Sequence, residues 1–217
     1  MRDRRPPLRS LFSTVPLVCI YAVAGLQMFT VGVLIAWLPS YFNRYYSLAP
    51  DRAGVASAGV FLAIGAGMVL GGVITDRVSR RDPSRKWTTA IFYCLTAAVL
   101  LIAAFSFGPG PVQLILLGAG ALFSSATSGG VASIVIMLTH PSLRASALGV
   151  GTMSNSIFGL ALGPVVVGML ADRHGLSVAM QIAPLAYVIA IGVLILGKRS
   201  LPGPGTIVDN TMFERAS

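Results

Sequence analysis

The stretch Gly71-Gly72-Val73-Ile74-Thr75-Asp76-Arg77-Val78-Ser79-Arg80-Arg81-Asp82-Pro83-Ser84-Arg85-Lys86 decides how this chain is read. A glycine pair closes an apolar run, an aspartate follows, and five basic residues come after it. The uncharged run ahead of it, 53–75, is long enough to cross a bilayer as a helix. Asp76 then falls at a helix C-terminus, where the macrodipole disfavours a carboxylate. Arg77, Arg80 and Arg81 are the cations at hand to hold it.

The same alternation of apolar runs and charges extends through all 217 residues. Hydrophobic residues make up 55% and charged residues 11%, less than half the charge of an ordinary soluble domain. The mean hydropathy is +0.80. Twenty-four glycines in so apolar a chain suit close helix packing in lipid. The formal charge of +9 lies between the apolar runs and not on a basic face with interleaved aromatics, so it reads as topology and not as nucleic-acid binding. Cys19 and Cys94 both fall inside apolar runs, with no CxxC spacing and no neighbouring histidine, and read as small buried hydrophobes.

Charges and helix breakers delimit six spans: 14–38, 53–75, 88–105, 112–139, 145–171 and 176–197. The opening Met1-Arg2-Asp3-Arg4-Arg5 mimics a signal peptide, but the uncharged run of 10–43 is too long for one and reads as a first transmembrane helix. Pro39 is expected to end it, with Trp37, Tyr41, Tyr45 and Tyr46 as an interfacial aromatic cluster. Phe107-Gly108-Pro109-Gly110-Pro111 divides the long uncharged run of 87–143 into spans three and four. A basic segment, 1–13, precedes the membrane domain, and a tail, 198–217, with Pro202-Gly203-Pro204-Gly205, is expected to be disordered.

An even number of spans puts both ends on one side. That side carries Arg2, Arg4, Arg5, Arg9, Arg77, Arg80, Arg81, Arg85, Lys86, Arg144, Lys198, Arg199 and Arg215; the other carries only Arg44, Arg52 and Arg173. Thirteen cations against three place the termini and the 76–87 loop in the cytoplasm, in a multi-pass protein of the plasma (inner) membrane. Span two ends Gly72-x-x-x-Asp76-Arg77 and span five ends Gly168-x-x-x-Asp172-Arg173. Both close the second helix of a set of three, on opposite sides of the membrane. The expected fold is therefore all-α and integral to the membrane, six helices arranged as an inverted repeat of three plus three.

Gly72-x-x-x-Asp76-Arg77-x-Ser79-Arg80-Arg81 resembles the G-x-x-x-D-R/K-x-G-R-R/K signature of the major facilitator superfamily, with Ser79 where the pattern prefers glycine. Span five, with Asn155, Gly159, Gly163-Pro164, Gly168 and Asp172-Arg173-His174-Gly175, resembles that family's eleventh helix; Trp37-Leu38-Pro39-Ser40-Tyr41 resembles the end of its seventh. The likeness runs from about Val15 to Lys198 and matches the second six-helix half of a twelve-helix transporter. It implies transport of a small solute by alternating access, as one half of a secondary transporter. The other wall would come from a complementary six-helix half or from a second copy. The alternative is a truncated remnant or a non-transporting assembly partner. An enzyme is disfavoured: there is no G-x-S-x-G, H-E-x-x-H, P-loop or intramembrane carboxylate pair, and nothing calls for a metal or cofactor.

No Asp, Glu, Lys, Arg or His falls within these spans, so no proton carrier is evident. Neutral polar residues gather near the bilayer middle: Gln27 and Thr30; Ser124, Thr127 and Ser128; Thr152, Asn155 and Ser156. The resemblance turns spans one, two, four and five toward the substrate path and leaves three and six outside. The competing reading is that these groups bond neighbouring helices or their own backbone. Gly67, Gly71 and Gly72 are spaced for close packing, and Gly163-Pro164 should bend span five. The resemblance also implies that Gly72, Asp76, Arg77, Arg80 and Arg81 form a gating loop, with Asp76 paired to Arg77 or Arg80 and the loop touching the opposite half.

Overall fold

The structure, a computed structural model, describes residues 11–201. Residues 1–10 of the basic segment and 202–217 of the tail lie outside it. Among the described residues every regular element is helical. Spans one to four are α1 (Val15–Tyr45), α2 (Pro50–Val78), α3 (Arg85–Ser106) and α4 (Pro111–Leu138). Span five is composite: α5 (Arg144–Ser154), a π-helical turn (Asn155–Ala161) and α6 (Leu162–His174). Span six is α7 (Leu176–Ile182) followed by α8 (Leu185–Arg199). Among the described residues six stretches are long and apolar enough to cross a membrane.

Three prolines act differently from one another. Pro111 opens α4, where its missing N–H costs nothing. Pro39 does not end α1 as expected: the helix continues through it for nearly two turns. The missing donor leaves the Ile35 carbonyl unmatched, but packing beyond it compensates. Tyr41 and Phe42 are 2% and 1% exposed, and the Tyr41 ring meets Phe105 edge-on at 5.3 Å. Gln113 Nε2 donates to Tyr41 Oη at 2.7 Å, and Tyr46 Oη donates to Gln113 Oε1 at 2.7 Å. Pro184 does break span six, between α7 and α8, where the apolar run of 176–197 predicts one continuous helix. At that break Thr30 Oγ1 donates to the Ala183 carbonyl at 3.3 Å, a second donor beside the Ala186 N–H at 3.2 Å.

The helices associate as two equivalent pairs. α2 lies along α4, and span five lies along α1; α3 packs on α4, as α8 packs on α1. Exchanging the first three spans for the last three carries one pair onto the other, as the repeated Gly-x-x-x-Asp-Arg ends anticipate. Lipid gives helices little hydrophobic reason to associate, so backbone proximity must do it. A Cβ at Gly67 would fall 1.9 Å from the Leu122 carbonyl oxygen, and one at Gly71 would fall 2.4 Å from Ala126 Cα. In the other pair a Cβ at Gly159 would fall 2.4 Å from Met28 Cβ, and one at Gly163 would fall 2.7 Å from the Phe29 carbonyl oxygen. The outer surface is apolar, with Val55, Leu62 and Ile115 each more than 70% exposed, as suits a bilayer and not water.

Gly67→Leu and Gly159→Leu should each lower the melting temperature by about 5 °C or more, from an overpacking cost of about 1–3 kcal/mol. Gly59→Leu and Gly118→Leu, where a Cβ meets nothing within 4 Å, should leave it unchanged. Thermal unfolding in one detergent, followed by circular dichroism, makes the comparison.

Candidate substrate path

A cavity of about 280 Å³ opens between α1, α4 and span five. Its polar lining is Gln27 from α1, Ser128 from α4, Thr152 from α5 and Asn155 from the π-helical turn. Ala24, Val131, Ala132, Val135, Leu148 and Gly151 complete it. Among the described residues no charged side chain lines it.

Gln27 is 1% exposed. Its Nε2 donates to Ser128 Oγ, joining α1 to α4, while its Oε1 is buried without a partner. Asn155 Oδ1 is likewise buried and unpartnered. A buried amide that leaves half its capacity unused costs free energy on the order of 1–3 kcal/mol. Two such groups in one cavity are a standing demand for a polar ligand or water. Thr152 Oγ1 is already engaged with the Leu148 carbonyl at 3.0 Å.

The π-helical turn sets where Asn155 points. Gly159 within it and Gly163 just below it press against α1, and Pro164 offers no N–H to the Leu160 carbonyl. Trp37 Nε1 donates to the Pro164 carbonyl at 3.0 Å, anchoring the lower half of span five to α1. One extra residue per turn then rotates α5 relative to α6, a local device that recurs at functional sites. The expected distortion at Gly163-Pro164 thus takes the form of a widened turn on its N-terminal side.

The structure separates residues that the sequence reading grouped. Thr30 turns to the Ala183 carbonyl in the span-six break and not to the cavity. Ser124 Oγ bonds the Ala121 carbonyl at 2.6 Å, and the Ser124 carbonyl accepts from Tyr187 Oη at 3.1 Å. Thr127 Oγ1 lies 3.9 Å from Cys94 Sγ on α3. Both side chains are wholly buried. Ser156 is exposed and outside the lining. Helical spacing could not divide these groups, because α4 is packed on more than one side. The apolar lining had a readable signal in 128, 131, 132 and 135 at helical spacing, but no chemistry to draw notice.

The loop after α2 also departs from expectation. Asp76 lies exposed in the last turn of α2, and among the described residues it makes no ion pair; Arg77, Arg80 and Arg81 are exposed as well. The carboxylate that is engaged is Asp82, 3.9 Å from Arg85 and accepting from the Ser84 N–H at 2.9 Å. Hydrogen bonds from Ser84, side chain first and then backbone, hold its carboxyl below the usual range. Ser79 has φ −91°, so the position does not require glycine, and its hydroxyl bonds the Thr75 carbonyl at 2.7 Å. Gly72 faces Gly129, where a Cβ would fall 2.9 Å from Gly72 Cα. Lys86 Nζ donates to Ser133 Oγ, tying the far end of the loop to α4.

Comparison with known proteins agrees with this architecture. The Major Facilitator Superfamily profile matches residues 17–211, and the chain belongs to that family. It is 29% identical over 174 residues to an Arabidopsis thaliana protein named "Probable sphingolipid transporter spinster homolog 2", covering 77% of this chain and 35% of that one. It is 25% identical over 181 residues to the D-galactonate transporter of Escherichia coli O6:H1, covering 79% of this chain and 41% of that one. A crystal structure of a bacterial homologue of the human lysosomal transporter Spinster, inward-facing and unoccupied, superposes with a TM-score of 0.79 at 18% identity, over 88% of this chain and 49% of that one. The chain thus spans less than half the length of these curated relatives and is a multi-pass membrane protein of a transporter family.

Cysteines placed at Thr152 and Asn155, with Cys19 and Cys94 changed to Ala, should react with a membrane-impermeant maleimide in native membranes. Cysteines at Thr30 and Thr127 should react at least tenfold more slowly.

Proposed function

We propose that this chain forms one six-helix half of a secondary transporter and supplies one wall of its solute path. The single observation that supports the reading is the cavity between α1, α4 and span five, with two unsatisfied amide oxygens in an otherwise neutral lining. The opposite wall belongs to a complementary six-helix half or to a second copy. Alternating access then amounts to rocking of the two halves about a site near the bilayer middle. The positive-inside balance favours cytoplasmic ends and a plasma-membrane location.

Gln27 and Asn155 offer hydrogen bonds and no charge, which suits the hydroxyls of a small polar or amphipathic solute. For an anion such as D-galactonate the counter-charge would come from the other wall. The exposed, unpaired Asp76 and its neighbouring arginines suit a latch that closes on the opposite half and not within this one.

The test is reconstitution into proteoliposomes of the complex that co-purifies with the tagged chain, with uptake of radiolabelled D-galactonate and of a neutral hexose measured. Saturable uptake of one of them is expected. Gln27→Leu and Asn155→Leu should each lower it about fivefold, the scale of one hydrogen bond. Asp76→Asn should lower it without reducing the amount of inserted protein. A lone six-helix monomer, with neither a partner half nor a second copy, would overturn the reading.

A further inference from the structure

Span five is held unequally on the two sides of its widened turn. Below the turn, a Cβ at Gly163 would fall 2.7 Å from the Phe29 carbonyl oxygen, and one at Gly168 would fall 2.9 Å from the Trp37 ring. Trp37 Nε1 also bonds the Pro164 carbonyl there. Above the turn, α5 has a looser seat. Ala147 is its one buried residue, and a Cβ at Gly149 would meet nothing within 4 Å. Ser154 Oγ ties its lower end to α1, donating to the Tyr21 carbonyl at 2.7 Å. The backbone bonds at both edges of the turn are divided. The Asn155 N–H is shared between the Gly151 and Thr152 carbonyls, and the Leu162 N–H between those of Gly159 and Ile157. Donors shared in this way lose little when the register changes.

A π-helical turn carries one residue more than an α-helix needs. When such a turn tightens to α while α6 keeps its seat, every residue above it moves one place along the helix path, away from α6. α5 then turns by about 100° and shifts by about 1.5 Å. Residue i+1 comes to stand where residue i stood. Ser156 takes the place of Asn155, Met153 that of Thr152, and Gly149 that of Leu148. The sequence suits both settings. A hydroxyl replaces the amide in the cavity wall. Asn155 arrives at the place of Ser154, where its Nδ2 is in position to donate to the Tyr21 carbonyl in the serine's stead. In the present setting Asn155 Oδ1 is buried and unpartnered, a cost that narrows the gap between the two.

We propose that the turn Asn155–Ala161 is a two-position register switch for the cavity wall. In the position seen here Thr152 and Asn155 line the cavity. In the other Met153 and Ser156 do. The thioether then fills the middle of the cavity, and Gly149 in place of Leu148 widens its end nearest Arg144. Ser156, exposed in this structure, thereby gains a part in the wall. The fit of Gly163 and Gly168 against α1 is untouched, which confines the change to the upper half of span five. The switch is a property of this chain and does not depend on transport.

Cysteine pairs in the full chain, in native membranes and with Cys19 and Cys94 changed to Ala, test it. Ala132→Cys, on the α4 wall of the cavity, is combined in turn with Thr152→Cys, Met153→Cys and Val150→Cys. Each pair is treated with a short bifunctional methanethiosulfonate, and links are read by peptide mass spectrometry. The 152 and 153 pairs should both link, at rates within about tenfold of each other. The 150 pair should link at least a hundredfold more slowly, since Val150 faces the apolar recess on the other side of α5. Deleting Ile157, an exposed residue of the turn, removes the extra residue and leaves Thr152 where it stands. The 152 pair should then persist and the 153 pair slow at least tenfold. Linking of the 152 pair alone in the undeleted chain would overturn the switch. Comparable linking of all three pairs would mark a loose helix and overturn it too, as would a 153 pair indifferent to the deletion.

Discussion

Two backbone-to-backbone contacts hold this molecule together: α2 against α4, and span five against α1. A bilayer removes the driving force that buries helices in water, so contact area and backbone proximity must supply the association. Glycine is what allows the approach. At Gly67, Gly71, Gly159 and Gly163 the neighbouring helix stands where a Cβ would be. The two contacts are related by the exchange of three helices for three, so one packing solution is used twice, in opposite directions through the membrane.

The cavity is a by-product of that arrangement. Span five meets α1 through Gly159, within the widened turn, and Gly163, just below it, and that turn begins at Asn155. α4, gripped by α2 on one side, presents Ser128 to Gln27 on the other. The polar groups that meet there are neutral, which keeps them tolerable in a low-dielectric setting. Among the described residues the charges stay at helix ends and in the connecting loops. Neutral amides of this kind can hydrogen-bond hydroxyl groups and supply no counter-charge.

The fold was largely legible in the sequence, because apolar length and cation placement are one-dimensional signals. The six spans and the Gly-x-x-x-Asp-Arg echo needed no contact information. The irregularities were less legible. Pro39 looks like a helix end until Tyr41, Phe42 and Gln113 are seen to repay the lost hydrogen bond. Pro184 looks innocuous until Thr30 is found bonded to the carbonyl beside it. Within the cavity, Gln27, Ser128, Thr152 and Asn155 came together as their polarity suggested, whereas Ser124 and Thr127 turned inward to satisfy themselves. A hydroxyl can be silenced by its own helix, which sequence spacing does not report; an amide has more valences than one carbonyl can fill. Asp76 stands in a recognisable signature, yet among the described residues it makes no ion pair, which the spacing of its arginines does not report.

The mirrored halves are tested most directly by sidedness. Single cysteines at Asp76 and Asp172, in a background with Cys19 and Cys94 changed to Ala, can be probed with an impermeant maleimide in sealed right-side-out and inverted vesicles. Inverted repeats place the two equivalent helix ends on opposite faces: position 76 should label only in inverted vesicles, and position 172 only in right-side-out ones. Labelling of both from the same face would contradict the account, since no alternation of six spans could then carry one glycine-bound pair onto the other.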